Sequence, residues 1–103
     1  MIGIVWGSTF KRALDKIKEI EKSYKRYRTS NLIFKRKNKY SYELTYDNGD
    51  RWIACKAVES LRGYKCNISY IDVNIPKDYV ETIIMPSTVA GPYQAIKYFY
   101  VGE

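Results

Sequence analysis

Residues 47–91 read DNGDRWIACKAVESLRGYKCNISYIDVNIPKDYVETIIMPSTVAG. Asn48-Gly49 opens this stretch with the strongest short hairpin signal available, because both residues tolerate positive φ. The run from Arg51 to Ala57 returns from the turn as a strand. Val58 to Leu61 reads as a turn or a single helical turn, and Leu61-Arg62-Gly63 reverses the chain. Cys66 to Val73 has the composition of the most central strand, with Asp72 near its end. Pro76 to Val80 reads as a connecting turn or short helix, and Thr82 to Met85 as a short buried strand ending in Pro86-Ser87-Thr88. Gly91 then opens a last helix carrying Tyr93, Ala95, Ile96, Phe99 and Tyr100. Pro92 suits its first position, where a missing N–H costs nothing.

Toward the N-terminus, the apolar run Ile2 to Trp6 is stopped by Gly7-Ser8-Thr9. Ser8 or Thr9 can cap the helix that follows by accepting an otherwise orphaned backbone N–H. Phe10, Ala13, Leu14, Ile17, Ile20 and Tyr24 recur at three- and four-residue steps and give that helix one apolar face. Strand, short turn and helix in this order imply an α/β layer. Residues 24–31 (YKRYRTSN) form a basic, aromatic connection to a short strand from Leu32 to Lys35. Arg36-Lys37-Asn38-Lys39 reads as a turn. Tyr40, Tyr42, Leu44 and Tyr46 then alternate with polar residues, the period of a half-buried strand. Residues 32–57 are thus an antiparallel meander. The whole chain, 1–103, is expected to be a single α/β domain: a mixed β-sheet flanked by helices, one or two on each face.

A chain of 103 residues with 46% hydrophobic and 28% charged residues has the composition of one globular domain. No apolar run approaches the roughly 18 residues that span a bilayer. The N-terminus lacks a basic segment followed by an apolar one, so a cytoplasmic location with no membrane contact is expected. Cys55 and Cys66 lie in apolar strand-like runs and are expected to be reduced core thiols. Two Cys and no His leave too few ligands for a zinc site and remove the usual general base. No cofactor is expected.

Charge is unevenly spread. Residues 1–40 hold twelve Lys/Arg against three Asp/Glu, a net of +9, while the remainder nets −2, giving +7 in all. Such a basic half is an electrostatic footprint for polyanions, although a solvated helix face has the same composition. The candidate nucleic-acid contacts are Lys25, Arg26 and Arg28, then Lys35, Arg36, Lys37 and Lys39, and finally Arg62. Basic side chains on turns suit phosphate contacts without base readout. Tyr40, Tyr42 and Tyr46 either stack on bases or pack under a helix. Leu44 shares their face, which favours packing.

The segments ELTYDNGDRWIACKAVESLRGY, NISYIDV and IIMPSTVAG carry a family resemblance in their order and spacing. From Ile2 onward the chain resembles the ATPase domain of bacteriophage large terminase subunits, the DNA-packaging motors of tailed phages. It begins just after the place of that family's P-loop helix. On this resemblance NISYIDV is similar to the Walker B strand, and IIMPSTVAG to the strand bearing the coupling motif. Asp72 would then be a weak metal residue, and the fold a trimmed P-loop-ATPase-like core. The departures weigh against activity. No G-x-x-x-x-G-K-[ST] occurs, and Val73 stands where the water-positioning Glu is expected. Asp72 equally suits a turn cap, Arg62 a plain exposed position beside Gly63, and Ser87 and Thr88 a cap or turn in place of the sensor role the resemblance implies.

The expectation is a catalytically inactive, terminase-like phage or prophage protein acting as a nucleic-acid-binding module, with DNA as the first partner to test. The alternatives are a factor binding a host or phage nucleic-acid-processing protein, and a residual nucleotide-binding enzyme with Asp72 on the metal.

Overall fold

Strand β1 (Ile2–Gly7) is buried at five consecutive residues, as expected of a strand covered on both faces. In the computed structural model, which describes residues 1–27, 30–58, 64–89 and 95–100, that strand lies inside a six-stranded sheet. Helix α1 (Phe10–Tyr27) follows it directly. Thr9 caps the helix, its hydroxyl oxygen accepting the Arg12 N–H at 3.2 Å. Ala13, Ile17 and Ile20 are buried along one stripe, and a fully buried Ile contributes about 1.5–3 kcal/mol. Lys25 and Arg26 fall in the last turn, where cations complement the helix dipole.

The other strands are β2 (Leu32–Lys37), β3 (Ser41–Tyr46), β4 (Arg51–Lys56), β5 (Ile68–Asp72) and β6 (Ala95–Phe99), in the sheet order β2-β3-β4-β1-β5-β6. β1 runs parallel to both β4 and β5, and β5 parallel to β6. β2, β3 and β4 form the expected antiparallel meander. Its Asn48-Gly49 turn is present, with Gly49 at φ +93°. The sheet is mixed, and the chain is a single compact α/β domain.

Alternation along the strands divides the core in two. Val5, Leu44, Trp52, Ala54 and Phe99 pack with α1 on one face. Ile4, Trp6, Cys55 and Ile71 pack on the other with Ile75, Val80, Ile83 and Ile84. Those last three sit in a helical segment built of a turn, α2 (Lys77–Tyr79), a π-helical turn (Val80–Ile84) and a closing turn, α3 (Met85–Ser87).

Three local expectations are corrected. Thr82 to Met85 is helical, not a strand. Val80, Ile83, Ile84 and Ser87 are all buried, and their spacing is the helical one that a four-residue apolar run conceals. Pro86 cannot donate to the carbonyl four residues back. The ladder widens to a π turn just ahead of it. The expected last helix is instead strand β6, its register with β5 running from Ile68↔Ala95 to Asp72↔Phe99. Phe99 packs on the α1 face and Ile96 on the opposite one, so alternation, not a helical stripe, satisfies this segment. Arg36 and Lys37 lie within β2, not in a turn. The reversal follows them, where the Asn38 side-chain oxygen accepts the Tyr40 and Ser41 N–H groups at 2.8 and 2.9 Å. The expected Leu61-Arg62-Gly63 turn and the Gly91-Pro92 helix start lie outside the described residues.

Gly7 ends β1 where α1 folds back over it. A Cβ there would collide with the Thr9 carbonyl oxygen and would lie 2.7 Å from the Ala13 backbone nitrogen. Because these neighbours are backbone, Gly7→Ala is expected to destabilise the fold by about 1–3 kcal/mol. The midpoint of urea unfolding reads this directly.

Candidate functional site

β1 leads into α1 on one face of the sheet, whereas β5 leads into the helical segment on the other. The adjacent C-terminal ends of β1 and β5 therefore form a switch point, the place where open α/β sheets make a crevice. Asp72 stands at this point and is fully buried. Its Oδ2 accepts the Ser8 N–H at 2.9 Å, the Ser8 hydroxyl, and the Arg12 Nε–H at 2.8 Å. Its Oδ1 accepts Arg12 Nη2 at 3.2 Å and the Asn74 N–H at 3.0 Å. These five donors saturate the carboxylate, which offers about four lone-pair sites. Ser8 precedes α1, so the anion held at this helix N-terminus is the chain's own carboxylate.

Burial alone would raise the Asp72 pKa. The Arg12 guanidinium, the Ser8 hydroxyl and the two backbone N–H groups outweigh burial and hold it at about 2. Chemically, this arrangement ties the tip of β5 to the start of α1. Among the described residues no three His, Cys, Asp or Glu side chains are grouped as a metal site.

Beneath it lies a buried polar chain. The Trp6 Nε1–H donates to Ser69 Oγ at 3.0 Å, Ser69 and Thr88 hydroxyls are 2.6 Å apart, and Thr88 donates to the Ile84 carbonyl at 2.9 Å. With the Thr88 proton on Ile84, the Ser69 proton goes to Thr88. Ser87 and Thr88 are thus both buried, and Thr88 closes the helical segment. The free thiol of Cys66 lies 3.2 Å from Ser69 Oγ. Burial raises its pKa and pushes that of Cys55, also free, up to about 12. Ser69→Ala leaves the buried Trp6 N–H unpaired, and a loss of about 1–3 kcal/mol is expected in thermal or chemical unfolding.

The basic candidates are distributed along edge strand β2. Lys25 and Arg26 are exposed at the end of α1, near where β2 begins, and Lys37 and Lys39 are exposed at its far end. Six residues of strand span about 20 Å. Between them, Lys35 and Arg36 point to opposite faces. Lys35 pairs with Glu21 at 3.1 Å over the α1 face, and Arg36 pairs with Glu43 at 3.0 Å on the other. No ion pair among the described residues involves Lys25, Arg26, Lys37 or Lys39. Arg28 and Arg62 lie outside the described residues. Tyr42 and Tyr46 are buried under α1, whereas Tyr40 is exposed at the β2–β3 turn.

Sequence patterns missed four participants: Ser8 and Arg12 around Asp72, and Glu43 with Arg51. Glu43 is buried between two guanidiniums, accepting Arg36 Nη2 at Oε2 and Arg51 Nε at Oε1, the latter at 2.8 Å. Register placed Glu43 on the face opposite Leu44, but no local pattern pairs it with residues seven or eight positions away.

No protein-family model matches the sequence, and no curated protein matches it. Solved structures do. The large terminase of a thermophilic bacteriophage superposes with a TM-score of 0.64 at 12% identity over 94% of this chain. The same terminase in complex with ATP-γ-S gives 0.63 at 12% identity. Its ADP complex gives 0.56 at 18% identity over 96% of the chain. The match spans only 24–25% of the terminase chain. At such identities the likeness shows a shared fold.

Proposed function

We propose that this terminase-like fold serves here as a nucleic-acid-binding module without nucleotide hydrolysis of its own. One observation carries the reading: Lys25, Arg26, Lys37 and Lys39 are exposed and outside every described ion pair, and together they bracket an edge strand that also bears Lys35 and Arg36. Cations grouped at the two ends of one edge strand can neutralise a polyanion and release its counterions. Their positions at a helix end and a hairpin suit backbone contacts, which place a nucleic acid without reading its sequence.

Two features of the switch point support the absence of hydrolysis. Val73 follows Asp72, and the Asp72 carboxylate is already filled by Ser8 and Arg12. Phosphoryl transfer depends on positioned phosphates and a charge-neutralising metal. The test has two parts. Anisotropy of labelled DNA and RNA at low salt should rise on adding the protein, and millimolar ATP with Mg²⁺ should leave the melting temperature unchanged. An ATP-dependent rise that disappears in Asp72→Ala would establish the nucleotide-binding alternative. Absence of nucleic-acid binding would leave the protein-partner alternative.

A further inference from the structure

The helical segment covers the β1–β5–β6 half of its sheet face, while the β2–β3–β4 half of that face lacks a helix among the described residues. A groove of about 600 Å³ runs over this half and onto β1. Its floor is Ile4, Trp6 and Cys55, only 3%, 0% and 8% exposed. Half-buried Ile53 and exposed Val58 add apolar surface beside them. The rest of the exposed lining is aromatic and basic. Tyr40 and Tyr64, 76% and 54% exposed, stand on the groove wall. Arg36 and Arg51 project from the sheet itself, both anchored on the Glu43 carboxylate, yet 62% and 46% exposed. Lys39 and Lys56 complete the basic lining. Phe34, 47% exposed, shares the face through its register with Thr45.

We infer that this open sheet face is a seat for single-stranded nucleic acid, with Tyr40 and Tyr64 stacking on bases. Arg36 and Arg51 are held ready for phosphates. This inference rests on the nucleic-acid reading above and adds to it the strandedness and the face. Aromatic rings stack on any base once it is unpaired, and a basic groove beside them tracks the backbone. A duplex keeps its bases stacked inside and has only phosphates to offer this face. Glu43 contributes by organisation: one buried carboxylate fixes two guanidiniums side by side, which lowers the ordering needed when phosphates arrive. The four cations against one carboxylate leave the groove at +3, complementary to a polyanion.

The experiment is an anisotropy titration with a labelled ten-nucleotide single strand and its matching duplex. It compares the full chain, the double variant Tyr40→Ala/Tyr64→Ala, and Arg51→Gln. Exposed rings should be removable without unfolding, and circular dichroism melting checks this. The expected result is single-strand affinity at least tenfold above duplex affinity. It should fall roughly tenfold per ring in the double variant, with duplex affinity unmoved. Arg51→Gln should weaken the single strand as well. Equal affinity for both forms, unchanged in the double variant, overturns the inference while leaving the nucleic-acid reading in place. No binding of either form at low salt overturns both. Tight binding of an acidic amphipathic peptide that is lost in the double variant, in the absence of strand binding, assigns the face to a protein partner instead.

Discussion

Replacing Asp72 with Ala is expected to destabilise the protein by about 3 kcal/mol, the range for breaking one partner of a buried ion pair. The side chain is fully buried, and Arg12 is only 22% exposed. Its loss removes the acceptor shared by a partly desolvated guanidinium, the Ser8 hydroxyl and two backbone N–H groups. The same carboxylate predicts a pH dependence. Its folded pKa of about 2 lies below the unfolded value near 4. The stabilisation is therefore present above about pH 4 and lost as pH falls through 2, amounting to about 3 kcal/mol. Chemical denaturation of the wild type between pH 6 and 2 should show this acid loss, and Asp72→Ala should flatten it. A double-mutant cycle with Arg12→Ala separates the pair's coupling from the removal of either side chain alone. Loss below about 1 kcal/mol with an unchanged acid limb would mean that the carboxylate is not what joins β5 to α1.

The second large effect concerns binding. The triple variant Lys25→Glu/Lys37→Glu/Lys39→Glu is expected to weaken nucleic-acid affinity on the order of 100-fold at low salt. None of these three lysines is ion-paired among the described residues, so their reversal orphans no carboxylate there. Arg36 is unsuitable for the same purpose because Glu43, buried beside it, would face a new like charge. Anisotropy measures the affinity, and the melting temperature should stay within a few degrees of wild type. Unchanged affinity would remove the β2 edge as the binding surface.

Much of the architecture was legible because the elements that define it have strong local patterns. α1 announces itself through a 3–4 apolar repeat, and the meander through alternation around Asn48-Gly49. The segments misread are those where local pattern is ambiguous. Ala95–Phe99 and Thr82–Met85 are five and four residues long, and short apolar runs fit a strand or a helix turn equally. Tertiary context decided them: β5 offered an open parallel edge to one, and the Ile4–Trp6 face needed a helical cover from the other. The site was half legible. Asp72 stood out as an acid ending an apolar strand, but Arg12, sixty residues earlier, fills its coordination, and sequence spacing cannot display a contact of that range. Likewise the basic run at 35–37 was visible, yet only the strand register shows Lys35 and Arg36 leaving on opposite faces.

The most direct measurement is a titration of labelled single-stranded DNA across a series from about 50 to 200 mM salt. With about five phosphates engaged, the logarithm of the association constant should fall linearly with the logarithm of salt at a slope of about −3.5. The triple lysine variant should show a slope shallower by about two. No association at the lowest salt, or an affinity indifferent to salt, would contradict the account of this fold as a nucleic-acid-binding module.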